Sequence, residues 1–208
     1  MMSTPDRDND FAAILDGAMG PTDADVARLH AHLAARADAA GLLDVAYRTI
    51  ETPVGTLLLA ATLTGLVRVA YEREGFEAVL ENLAEKVSPR LLKSPTRLDP
   101  ASRQLEEYFD RRRRRFDLPL DLALLTGFRR TVLTYLPEID YGQTASYGAV
   151  AAAVNNPKAV RAVGSACATN PLPVVIPCHR VVRSDGAVGG YLGGTATKRQ
   201  LLDLEAAA

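Results

Sequence analysis

The sequence predicts two domains, an N-terminal α/β unit with an antiparallel sheet and a C-terminal unit made mostly of helices. Three observations carry that reading. Short β-rich runs separated by turn residues begin at Asp44. From Gly75 the apolar spacing changes to a helical period. Beyond residue 123, two short helical stretches flank a tight Asn155-Asn156-Pro157 turn, the pattern of a helix-turn-helix. The divisions are an acidic leader over 1–43, an α/β domain over 44–122 and a helical domain over 123–208.

Taken in order, Pro21-Thr22-Asp23 opens a helix in the leader, with Val26, Leu29 and Leu33 at near-helical spacing. His30 and His32, two apart, do not share a helix face and read as solvated side chains. Residues 45–50, 56–61 and 66–71 read as three strands, punctuated by Pro53-Val54-Gly55 and Thr64-Gly65. Gly75 to Val87 reads as an amphipathic helix with Phe76, Val79, Leu80 and Leu83 inward. A second helix runs from Pro100 to Arg112 and ends in five arginines, Arg111 to Arg115. Flanking Glu106, Glu107, Asp110 and Asp117 cancel most of that charge, so a solvated helix end is the plainer reading.

In the helical domain, Gly127 to Leu136 forms one helix and Ser146 caps a second, which carries Val150 and Val154. A third is expected from Lys158 to Thr169, with Asn156 as N-cap and Pro157 at the first helical position. Val160, Val163 and Cys167 face inward. Arg161, Ala162, Ser165 and Thr169 share the outer face, whose small side chains allow close approach of the backbone to a groove or to another part of the protein.

Composition excludes several classes. Hydrophobic residues at 48% and charged residues at 24% describe an ordinary globular chain. No apolar run approaches the ~20 residues that span a bilayer. The start lacks the basic and apolar segments of a secretory signal. Two cysteines cannot make a disulfide framework or a four-thiolate zinc site, so a reducing cytoplasm is the expected compartment. The net charge of −1 argues against a globally basic nucleic-acid binder. Residues 126–208 nevertheless hold eight basic against five acidic groups, and a polyanion is expected to meet that third.

The chemistry concentrates in Asn170 to Val182. Val174-Val175-Ile176 reads as a short buried strand stiffened by Pro171, Pro173 and Pro177. Cys178 follows at its end, with His179 and Arg180 adjacent, an electropositive setting that favours the thiolate nucleophile. On a strand His179 points away from the thiol and reaches it through a water or a bend. Glu205 is a candidate to orient the imidazole. Cys167, inside a helix, fits a packing role. Gly189, Gly190, Gly193 and Gly194 match neither a dinucleotide fingerprint nor a Walker A loop.

Ile176-Pro-Cys-His-Arg-Val-Val182 resembles the active-site motif of the O6-alkylguanine-DNA alkyltransferases. Ser146-Tyr147, Asn156 to Gly164, Asn170-Pro171, Gly189 to Gly194 and the Lys198 to Glu205 helix follow in family order, so the likeness covers about Asp44 to Glu205. It implies a ribonuclease-H-like N-terminal sheet and a winged-helix-like C-terminal domain. It implies irreversible, stoichiometric transfer of an alkyl group from O6-alkylguanine, and from O4-alkylthymine, to Cys178. His179 would be the base, held by Glu205, and Asn170 the hinge residue. Arg161 would fill the place of the extruded nucleotide, with Ala162 and Ser165 beside it on the DNA. Tyr147 would contact the flipped nucleotide and donate toward guanine N3. Pro173, Val181, Tyr191 and Leu192 would line the base pocket, Leu192 in place of the small or polar residue of some relatives. The partner implied is double-stranded DNA, bound by a monomer through the minor groove with little sequence preference, and no cofactor or metal is expected.

Three other readings compete on the residues alone. One is a non-catalytic lesion-binding protein, one a winged-helix regulator with a structural Cys and His, and one a turnover enzyme that uses the Cys-His pair.

Overall fold

The computed structural model describes residues 22–207, so leader residues 1–21 lie outside the described part. Helix α1 (Asp23–Ala39) starts at a capping box in which Thr22 accepts from the Asp25 amide and Asp25 accepts from the Thr22 amide. Its Val26, Leu29 and Leu33 are exposed, and His30 Nε2 lies 3.1 Å from the Lys93 carbonyl.

Strands β1 (Val45–Ile50), β2 (Leu57–Ala61) and β3 (Leu66–Tyr71) form the expected antiparallel meander. The sheet has a fourth member, β4 (Leu91–Lys93), and is mixed: the order is β3-β2-β1-β4, with β4 parallel to β1. Three residues are too short to show alternation, and the crossover through helix α2 (Phe76–Lys86) is what delivers β4 in parallel orientation. Arg90 holds this edge by a bidentate pair to Asp44 at 2.7 and 2.8 Å.

Both faces of the sheet are covered, which is why β2 is buried at every position. Leu58 and Ala60 pack with Val79 and Leu83 of α2. Leu57, Leu59 and Val69 face Leu105 and Tyr108 of helix α3 (Asp99–Phe109). That second cluster continues into the C-terminal helices through Val132, Val150 and Val163. One apolar core therefore joins the two halves. No described helix is long and apolar enough to cross a membrane.

The C-terminal half holds α4 (Gly127–Tyr135), α5 (Tyr147–Ala153), α6 (Val160–Ala168) and α7 (Thr195–Ala206). Ser146 caps α5, its Oγ accepting from Ala149 N at 3.0 Å. The start of α6 is later than expected: Asn156 to Ala159 form a separate turn closed by Ala159 N to Asn156 O at 2.9 Å. Ala159, not Asn156, precedes the first helical residue, because Pro157 at a turn position satisfies the same backbone preference as Pro at a helix start. A two-stranded parallel ladder of β5 (Ala145–Ser146) and β6 (Val181–Val182) brings the start of α5 beside the residues after Cys178.

Strand β3 would be a bare edge, but other segments close it. Leu66 N donates to Pro119 O at 2.8 Å, Asp121 N to Leu66 O at 2.9 Å, and Val69 N to Pro171 O at 2.8 Å. Gly65 permits this approach, since a Cβ there would lie 2.2 Å from the Pro119 carbonyl oxygen. Gly65→Ala is expected to lower unfolding stability by at least about 2 kcal/mol, whereas Gly190→Ala, with open space around it, should stay within about 0.5 kcal/mol in urea titrations.

Candidate active site

The segment linking α6 to Cys178 is a chain of turns and not the expected strand. Three prolines in seven residues remove the amide donors that a ladder needs. Val174 takes a left-handed φ of 72°, a conformation that costs about 1–3 kcal/mol for a β-branched residue. Asn170, fully buried, ties the turns together. Its Oδ1 accepts from Leu172 N at 3.0 Å, and its Nδ2 donates to Ile176 O at 2.9 Å and to Cys178 Sγ at 3.1 Å. Cys178 then opens a single 3-10 turn, Cys178–Arg180, closed by Arg180 N to Pro177 O at 3.0 Å. His179 is thus set by a helical turn and not by the alternation of a strand.

The thiol is 1% exposed. Burial pushes it up to about 11, opposed by the Asn170 amide and the Lys198 ammonium. The electropositive effect expected from the neighbouring His179 and Arg180 is not realised in this state. Arg180 turns its guanidinium away, to the Ile139 carbonyl at 2.6 Å and to Glu205 at 2.9 and 3.0 Å. The resting sulfur is a protonated thiol. Cys167, also buried, is pushed up to about 12 by desolvation, in keeping with a packing role.

His179 Nε2 lies 2.9 Å from Glu205 Oε1. Burial holds the imidazole neutral, below its ordinary value of 6.5, against the pull of Glu205. A neutral ring facing a carboxylate carries its proton on Nε2, an assignment from the acceptor. Nδ1 keeps the lone pair, and it is buried without a partner among the described residues. Burial opposes the charge of Glu205, but hydrogen bonds from His179 and Arg180 outweigh it and bring the carboxyl down to about 2. Tyr108 Oη and Gly142 N also donate to this carboxylate, at 2.8 and 3.2 Å.

Tyr147 stands at the first turn of α5, half-buried. Gly189 packs flat against its ring, where a Cβ would lie 2.7 Å from the hydroxyl. Lys198 is wholly buried on α7, donating to the Val181 carbonyl at 2.5 Å with its ammonium 5.7 Å from the Tyr147 ring centroid. Tyr191 bonds the Tyr71 hydroxyl at 2.9 Å and meets the His179 ring edge-on at 6.4 Å. Pro173 and Val181 are buried around the cysteine turn. Leu192 lines a cleft between the domains, with Arg68, Arg129, Thr169 and Pro171. The fold thus brings Cys178, His179, Glu205, Asn170, Tyr147, Val181 and Tyr191 into one neighbourhood, leaves Pro173 buried in the segment that leads to the cysteine, and sets Leu192 at the border.

Arg161, Ala162, Ser165 and Thr169 are exposed along α6. The arginine run lies elsewhere and is largely neutralised. Arg112 pairs with Asp110, Arg113 with Glu107 and Arg115 with Asp140, while Arg114 sits over the Tyr141 ring at 5.8 Å. Four residues escaped the sequence reading: Arg180 as the carboxylate's charge partner, Lys198, and Tyr71 and Tyr108 from the N-terminal half. Only Arg180 had a local signal, its adjacency to His179. The tyrosines reach the site through tertiary packing alone.

Acid sensitivity follows from this network. Glu205 sits below its ordinary 4.5 in the folded chain, so its contribution is present above that value and is lost as pH falls toward 2. Depression of His179 acts in the same direction, beginning near 6.5, where the unfolded imidazole takes up a proton. Glu205→Gln strands the Arg180 charge and should cost about 3–5 kcal/mol at neutral pH. Urea titrations should show the gap from the unsubstituted chain shrinking steadily below about pH 4.5.

Residues 127–207 match the model of the 6-O-methylguanine DNA methyltransferase DNA binding domain, and residues 45–122 that of the ribonuclease-like domain of the same family. The constitutive methylated-DNA–protein-cysteine methyltransferase of Bacillus subtilis is 39% identical, covering 76% of this chain and 94% of its own. A Mycobacterium tuberculosis relative of the same name is 38% identical, over 76% of this chain and 91% of its own. Among solved structures, M. tuberculosis O6-methylguanine methyltransferase superposes with a TM-score of 0.68 at 36% identity, covering 78% of this chain and 93% of that one. Its homonymous OGT in complex with DNA gives 0.66 at the same identity and coverage. With two family models spanning most of its length and relatives this similar, the chain belongs to the methylated-DNA–protein-cysteine methyltransferase family.

Proposed function

We propose that this protein repairs alkylated DNA directly, moving an alkyl group from O6 of guanine to Cys178 Sγ in one irreversible event. The observation that carries the reading is the buried Cys178–His179–Glu205 arrangement, with its unpartnered imidazole lone pair at the cysteine turn. His179 Nδ1, through a water, takes the thiol proton. The sulfur lone pair forms the S–C bond, the C–O6 bond breaks and its electron pair stays on the base. Tyr147 donates toward guanine N3, and the proton removed from sulfur ends on the departing guanine. Asn170 holds the developing thiolate by its hydrogen bond. The product is a thioether, for which the site offers no second nucleophile, so one chain serves one lesion. O4-alkylthymine presents a comparable carbon on an exocyclic oxygen and falls within the same reaction.

DNA meets α6, in a helix-turn-helix set as in winged-helix proteins. Ala162 and Ser165 let the helix backbone lie close in the minor groove. Arg161 enters the stack where the nucleotide leaves, offsetting an unstacking cost of a few kcal/mol. Phosphate contacts supply affinity without sequence preference. The acting form is a monomer. Because the thiol is buried, the everted base reaches it only after surrounding segments shift, and the glycine loop packed on Tyr147 is the segment expected to move. Pro173, Val181 and Tyr191 then line the pocket, with Leu192 at its rim limiting bulky alkyl groups.

That same burial favours a second reading, lesion binding without chemistry. Incubation with a duplex carrying O6-methylguanine separates the two. The transfer reading expects one added methyl mass on the Cys178 peptide and none in Cys178→Ser, with DNA still bound by both. Binding with no mass change supports the second reading. Arg161→Ala should slow repair of duplex at least about tenfold while leaving reaction with free O6-benzylguanine within about twofold. Equal losses on both substrates contradict the wedge role.

A further inference from the structure

We propose that Tyr108, from the N-terminal domain, is a positioning residue for the base His179, acting through the carboxylate oxygen that the two side chains share. This rests on the reading of His179 as the proton acceptor. Tyr108 lies at the end of α3 and is fully buried. Its ring packs against Phe109, Phe116 and Tyr141 at centroid distances of 5.3, 5.4 and 6.0 Å. These contacts aim its hydroxyl across the domain boundary at Glu205 Oε1, 2.8 Å away. The same oxygen receives His179 Nε2 at 2.9 Å and Arg180 Nη2 at 3.0 Å.

Oε2 takes Arg180 Nε and Gly142 N. Five donors thus meet a carboxylate with about four lone-pair sites. Each donor on Oε1 draws charge from the oxygen that would otherwise stabilise an imidazolium. Tyr108 therefore limits how strongly Glu205 can raise the basicity of His179. Together with burial, which is the larger influence, it keeps the ring neutral with Nδ1 free to accept. The phenol never competes as an acid, because burial and the facing carboxylate push it far above its ordinary 10.

The other ionisable groups facing the pair are Arg180, Lys198, Cys178, Tyr191 and, beyond Tyr108, Tyr141. Tyr141 offers a matched control. Its ring touches Tyr108, but its buried hydroxyl bonds nothing among the described residues.

The test is an NMR titration of the His179 ring in the full chain, unsubstituted and as Tyr108→Phe and Tyr141→Phe. Tyr108→Phe keeps the ring packing and removes only the donor, so the His179 midpoint should rise by at least about half a unit. The acid limb of the rate with free O6-benzylguanine should move by the same amount. Tyr141→Phe should leave both in place. An unmoved or lowered midpoint in Tyr108→Phe, or an equal shift in Tyr141→Phe, overturns the proposal. Should Tyr108→Phe fail to fold, the unsubstituted chain still decides: its Tyr108 hydroxyl proton must exchange slowly with water, and fast exchange overturns the proposal. The ring titration needs no alkyl transfer. A chain whose midpoint shifts as expected but whose Cys178 never gains an alkyl group contradicts the repair reading and leaves the role of Tyr108 in tuning Glu205 intact.

Discussion

A single buried carboxylate organises the centre of this protein. Glu205, on the last described helix, gathers His179 and Arg180 from the cysteine turn, Tyr108 from the N-terminal domain and the Gly142 amide from the loop before α5. An isolated carboxylate at that depth would be strongly disfavoured. Bidentate pairing with Arg180 makes its charge tolerable, and this has a chemical consequence. With its charge already balanced, Glu205 orients the imidazole without drawing a second proton to it.

The cysteine turn shows the same economy of contacts. Asn170 restrains a proline-rich path that includes an unfavourable backbone conformation at Val174, and the same amide reaches the sulfur. Strain of this kind persists only where surrounding contacts over-determine it. Here those contacts extend to the sheet, because Pro171 closes the β3 edge through Val69. The N-terminal sheet is thus part of the scaffold that fixes Cys178.

Much of the site was legible in the sequence because its residues cluster. Cys178, His179 and Arg180 are consecutive, and Asn170 is eight positions from the thiol. The outer face of α6 was legible from helical spacing alone. Less visible was whatever depended on long-range contact. Three-residue β4 carries no periodic signal, and only the crossover reveals it as parallel. The valine run at 174–176 has strand composition, yet its flanking prolines leave too few donors for a ladder and turns prevail. The thiolate-favouring reading of Cys178 assumed that adjacent cations point at the sulfur. The fold directs Arg180 elsewhere and buries the thiol, which reverses the sign of the shift.

The proposed repair consumes the Cys178 sulfur. With lesion-bearing duplex in excess over protein, dealkylation should rise to one equivalent per chain and then stop, however long the incubation continues. Continued release of repaired duplex beyond one equivalent, or a plateau at zero, would contradict it.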